Sequence, residues 1–155
     1  MLRRFLLLAF AVVLTATAQK YAGPRPPKAD LPYLKHADNL VPTEAVEAKE
    51  EKKKDDTLYV VDGANSSART PLASPIFLLQ AAKLVPERLQ LFKLDSRNGR
   101  REIQFSPKHP PKAIRVDVAR LALDLYRIEV DESLEPGEYS ISPEGSNQVF
   151  CFQVF

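Results

Sequence analysis

The chain has 155 residues, 45% hydrophobic and 27% charged, enough for one compact domain and too few for two. No apolar run reaches the roughly 18 residues of a membrane-spanning helix. Five glycines, no sustained heptads and a single cysteine, Cys151, exclude collagen-like, coiled-coil and disulfide-framework classes.

Arg3 and Arg4 precede an apolar stretch over 5–14, and Ala16, Thr17 and Ala18 supply the small-residue pattern of a cleavage site. Residues 1–18 are therefore expected to be a signal peptide removed before Gln19, giving a periplasmic or extracellular protein with no remaining membrane span. Removal takes two of the 22 basic residues and none of the 20 acidic ones, so the mature chain is formally neutral. It then lacks the positive surplus that draws nucleic acid. In an oxidising compartment a lone Cys151 closes no internal bridge, and between Phe150 and Phe152 it reads as a small buried hydrophobe.

Over 19–42 five prolines interrupt any helical or strand period, and over 43–56 ten of fourteen residues are charged. Too little apolar surface is on offer to offset the entropy of ordering, which predicts a flexible linker over 19–56. Residues 57–155 carry short β-type runs between turn residues, the spacing of an all-β antiparallel sandwich of seven or eight strands. Strands are predicted over 58–62, 76–79, 89–94, 102–105, 114–118, 125–130, 138–142 and 148–154. Alternation is clearest at Ile114, Val116 and Val118, and at Tyr126, Ile128 and Val130. The phase slips across 119–124, which implies a turn or bulge there. A helical stripe through Val118, Leu121, Leu125 and Ile128 is the competing reading.

Asn98 followed by Gly99 predicts a hairpin. A two-residue turn opposes Arg97 to Arg100 and Asp95 to Glu102, whereas a three-residue loop pairs Asp95 with Arg101. Both bury four apolar groups, so repulsion between like charges favours the longer loop. The last strand is apolar on both faces, which suits a strand in the middle of a sheet; exchange with another subunit is the alternative.

Leu134, Pro136, Gly137 and Tyr139, followed by Ser140 and Ile141, form an L-x-P-G-x-Y motif. It resembles the corner of extracellular immunoglobulin, fibronectin type III-like or transthyretin-like sandwiches, and residues 125–155 resemble secreted bacterial proteins that are themselves uncharacterised. The resemblance implies an immunoglobulin-like fold in which Leu134 plugs the core and the Tyr139 hydroxyl bonds nearby backbone as a tyrosine corner. With no tryptophan and no cysteine pair, a true antibody-type domain is not expected.

Catalytic parts are missing from the sequence: no nucleophile elbow, no H-E-x-x-H and no phosphate-cradling glycine loop. His36 and His109 stand apart from metal-ligand spacings. Glu129, Asp131, Glu132 and Glu135 fit no known calcium loop and read as a solvated turn. No cofactor or metal is expected. Arg97, Arg100 and Arg101 crowd the hairpin tip and Lys108 and Lys112 the next loop, a basic patch able to grip an anion or an acidic partner. The expected function is that of a non-catalytic interaction or structural module, its partner another envelope or extracellular protein. The alternatives are a small-ligand or anionic-glycan binding domain, which would show an apolar cleft between sheets or a cationic one near Arg100, and an outer-membrane β protein.

Overall fold

A computed structural model describes residues 20–155; the expected signal peptide, 1–18, and the cleavage position before Gln19 lie outside the described residues. Thirteen strands follow in chain order: β1 (Tyr33–His36), β2 (Asn39–Pro42), β3 (Glu44–Glu47), β4 (Lys49–Lys53), β5 (Asp56–Asp62), β6 (Arg69–Thr70), β7 (Ile76–Gln80), β8 (Leu89–Arg97), β9 (Arg100–Phe105), β10 (Val116–Ala122), β11 (Leu125–Val130), β12 (Gly137–Pro143) and β13 (Gln148–Val154). Apart from one 3₁₀ turn, Pro86–Arg88, no helix occurs among the described residues, and none there is long and apolar enough to cross a membrane. The helical reading of 118–128 gives way to the β10–β11 hairpin, whose register shifts between Arg120 and Ala122 and whose turn holds Asp124 at φ 56°.

Two sheets form. One has the order β10-β11-β7-β1-β2, the other β3-β13-β12-β8-β9-β5-β4, and β6 runs parallel to the end of β13. All other pairings are antiparallel. The main core lies between the first sheet and one face of β8, β12 and β13. Alternation sends Phe150, Phe152 and Val154 from β13, and Tyr139 and Ile141 from β12, against Leu34, Phe77, Leu79 and Ile128. Phe77 meets Phe152 edge-on at 5.0 Å, and Tyr139 stacks on Phe152 at 5.5 Å. β13 is thus a central strand, flanked by β12 on one side and by β3 and β6 on the other.

The second sheet turns back on itself. Only Ala48 separates β3 from β4, so the strand at one end of the order continues into the strand at the other; the Ala48 N–H donates to Asn147 O at 2.8 Å at the crossing. On the opposite side β8 pairs with β12 over residues 89–94 but with β9 only over 95–97. The result is a small barrel-like layer whose lumen faces away from the main core. Val61, Leu94, Val149 and Cys151 fill part of it, with Tyr59 and Ile103 packed alongside.

The expectation of a flexible segment over 19–56 is corrected: residues 33–53 form four strands. Backbone ladders to β7, β13 and β5 hold them in place, and β1 also buries Tyr33 and Leu34 in the main core. Such charged strands suit a sheet edge, where lysine and glutamate discourage pairing with other chains. Asp30 fastens the start of the segment. Its carboxylate accepts the N–H groups of Ala82, Lys83 and Leu84 at 2.9 to 3.1 Å, and its own N–H donates to Gln80 O at 2.8 Å.

The favoured three-residue hairpin loop is likewise corrected. Asn98 at φ 53° and Gly99 at φ 73° make a two-residue turn that opposes Arg97 to Arg100 and Asp95 to Glu102. Glu102 offsets the repulsion: the Arg97 guanidinium reaches it diagonally at 2.9 Å and the Arg100 guanidinium along the same strand at 3.0 Å, and Arg100 also reaches Glu51 at 2.9 Å. Opposite charges interleave, and the turn keeps the backbone twist it prefers.

Candidate functional site

The expected basic patch is not assembled. Arg101 is only 1% exposed and points into the barrel. Arg97 and Arg100 remain at the hairpin but are engaged by acids, while Lys108 lies in the loop beyond β9, about 17 Å of strand away at 3.3 Å per residue. Lys108 borders a shallow depression with His109, Lys53 and Lys54. Lys112 is exposed farther along the same loop. The acidic residues near 129–135 are dispersed into separate pairs, Arg127 with Glu129, Arg115 with Asp131 and Lys93 with Glu135. Among the described residues no group of three or more His, Cys, Asp or Glu is placed to hold a metal ion. His36 shares a hydrogen bond with Thr70 Oγ1 at 2.8 Å.

At the L-x-P-G-x-Y segment, the Tyr139 hydroxyl donates to Glu135 O at 2.7 Å. Leu134 is buried in the main core, and its N–H donates to Ala73 O at 2.7 Å. Lys93 crosses to Glu135 beside it, at 3.0 Å. These contacts fix the chain where it enters β12.

The lumen of the barrel-like layer is a cleft of about 210 Å³. Its walls carry Tyr59 and Val61 from β5, Phe92 and Leu94 from β8, and Ile103 and Phe105 from β9. Phe105 anchors the aromatic wall, meeting Phe92 edge-on at 5.4 Å and Tyr59 at 5.3 Å. Polar groups flank this wall, with Ser140 paired beside Phe92 and Ser142 beside Gln90. Strand alternation that sends Tyr139 and Ile141 into the main core turns Ser140 and Ser142 toward the cleft, and Gln90, Ser146 and Asn147 join them. Glu50 completes the lining beside Ala48.

Beneath the cleft lies a buried charge cluster. Arg101 donates from Nη1 and Nη2 to the two carboxylate oxygens of Glu44, both at 2.9 Å, and from Nε and Nη2 to the carbonyls of Gly63 and Asp62 at 2.9 and 2.8 Å. This fork matches the planar guanidinium to a carboxylate, the geometry in which arginine binds most strongly. Burial alone pushes the Glu44 carboxyl up, but the bonds from Arg101, Ser66 and Ser67 outweigh it and hold the group below its ordinary value. Glu138, on the cleft-facing side of β12, behaves oppositely. Its Oε2 accepts the Ser66 N–H at 3.1 Å, while Oε1 is buried without a hydrogen-bond partner among the described residues. Burial raises this carboxyl above its ordinary value despite the Ser66 bond and the nearby Arg101 charge. Cys151, paired in register with Ser140, is fully buried, and desolvation pushes its thiol up to about 12, so it is no nucleophile at neutral pH.

The cleft lacks any clear sequence signal. The alternation of Glu138, Ser140 and Ser142 with Tyr139 and Ile141 reads as one face in and one face out, and a polar face turned to a lumen looks the same as one turned to solvent. Arg101 offers the only hint: it sits in phase with Ile103 and Phe105 on β9. Comparisons with protein-family models, curated proteins and solved structures found no match to the chain.

Proposed function

We propose that the chain is an exported, non-catalytic binding module of immunoglobulin-like architecture whose ligand occupies the cleft inside the second sheet. The strand pairing supports the architectural part of this reading. Order β10-β11-β7-β1 faces β13-β12-β8-β9, with the short β6 crossing over to run parallel to β13, and the Tyr139 bond to Glu135 suits a tyrosine corner. Relative to such a sandwich, residues 44–62 are an addition that spans from the β13 edge to the β9 edge and creates the lumen.

The observation that carries the functional part is the cleft itself: apolar and aromatic side chains flanked by a row of hydroxyl and amide groups, the makeup of a small-molecule site. The hairpin arginines are a poorer surface for an acidic protein or glycan, because each already rests on a carboxylate. The test is a saturation-transfer NMR screen of single-ring fragments against the chain and against Ser142→Phe, which places a ring in the cleft from a half-buried position. Fragments that bind the parent and lose contact in Ser142→Phe support the reading. Absence of any binder, or binding unaffected by the substitution, overturns it. Release of the protein by osmotic shock without detergent tests the export.

A further inference from the structure

We infer that the cleft selects a small ring or short alkyl compound ending in an amine or hydroxyl, and rejects carboxylates and other anions. This inference rests on the reading of the cleft as a binding site and reverses the expectation of an anion or anionic-glycan site.

Size comes first. A dry, apolar cavity of about 150 Å³ admits a benzene ring, so the 210 Å³ here holds one ring with a short substituent. Tyr59, Phe92 and Phe105 present ring edges and faces to it, which favours an aromatic or flat apolar body.

Charge decides the other end. Arg101 is the cation that lines the cleft, and it is already saturated in charge by a two-point bond to Glu44. Nothing in the lining offers an anion an unpaired positive partner. One carboxylate, Glu50, does line the cleft, with only a 4.0 Å approach from Lys52. Glu138, whose Oε1 has no hydrogen-bond partner among the described residues, lies on the same face of β12 as Ser140 and Ser142 but outside the lining. An incoming carboxylate would approach the Glu50 charge and find no unpaired cation to offset its own desolvation. An ammonium or hydroxyl group would meet acceptors, namely the serine hydroxyls, the Asn147 and Gln90 amides and the Glu50 carboxylate.

Three probes of one shape separate the possibilities: 2-phenylethylamine, 2-phenylethanol and phenylacetate, titrated into the isotopically labelled full chain at pH 7 and followed by amide chemical shifts. The amine and the alcohol are expected to shift amides of Ala48, Val61, Ser140 and Val149 saturably, with phenylacetate at least tenfold weaker. Ser142→Phe, checked for an undisturbed spectrum elsewhere, abolishes all three. Phenylacetate binding at these amides as tightly as the amine overturns the selectivity while leaving the cleft as a binding site. No response to any of the three overturns the inference, and the broader fragment screen then reports separately on whether the cleft binds anything.

Discussion

Replacing Arg101 with methionine tests whether the second sheet is held shut by a charged strut. Arg101 on β9 and Glu44 on β3 are not neighbours in the sheet order, so their bond ties strands that no backbone ladder joins. Methionine preserves most of the volume but leaves the Glu44 carboxylate short of its two guanidinium bonds and the Asp62 and Gly63 carbonyls without their donor. Removing one member of a buried pair costs about 3 to 5 kcal/mol, because the survivor stays desolvated. With an unfolding entropy of about 2.1 cal/mol/K per residue over about 135 residues, a loss of about 4 kcal/mol lowers Tm by roughly 14 °C. Substituting both partners, Glu44→Met with Arg101→Met, removes the orphaned charge as well as the bond and is expected to return to within about 2 kcal/mol of the parent. Urea unfolding and calorimetry on the parent, both single variants and the double variant give the coupling directly. An Arg101→Met cost below about 1 kcal/mol, or a double variant no better than the worse single one, would refute the reasoning.

The half-buried Glu44 and the buried Glu138 give stability opposite pH dependences. Glu44 is held below its ordinary value, so its contribution is present above that value and is lost as the pH falls through the lower folded one. Glu138 is held above its ordinary value, so the folded state keeps its proton longer than the unfolded one and stability declines as the pH rises between the two. Urea midpoints measured from pH 3 to 8 should therefore peak on the acid side of neutrality, and Glu138→Gln should flatten the upper limb while leaving the lower one. Asp30→Ala removes the acceptor for three consecutive backbone N–H groups and is expected to cost about 1 to 2 kcal/mol, the scale of losing a helix N-cap, read from the same urea midpoints. Hydrogen exchange should then rise first at Ala82, Lys83 and Leu84. Tyr139→Phe keeps the stack on Phe152 but loses the bond to Glu135 O, an expected cost of about 0.5 to 1.5 kcal/mol by denaturant titration; a larger loss would mean the hydroxyl does more than cap that carbonyl.

The strands after residue 56 were legible because they obey the period of two, and each of the eight expected runs coincides with an observed strand or overlaps one. The segment before it was not, since β4 reads Lys-Glu-Glu-Lys-Lys and its order comes from pairing with Thr57, Leu58, Tyr59 and Val60. Hydrophobic pattern is blind to strands whose stability is supplied by a backbone ladder. The hairpin register escapes a reading of directly opposed pairs because Glu102 draws in both arginines, Arg97 diagonally across the pair and Arg100 along β9. The patch fails for a separate reason: Arg101 is in phase with Ile103 and Phe105 on β9 and shares their inward face. The cleft depends on the closure of the sheet, and closure is a property of pairings from 38 residues apart (Asp62 with Arg100) to 107 apart (Glu44 with Cys151) that no local spacing encodes.

Because residues 44–62 wrap the outer rim while the main core is built from other strands, that wrap can lengthen, shorten or change side chains with little disturbance to Phe77, Phe152 and their neighbours. Natural variation is then expected to concentrate in the wrap, widening or narrowing the lumen around it, so that one invariant scaffold could come to house molecules of different girth.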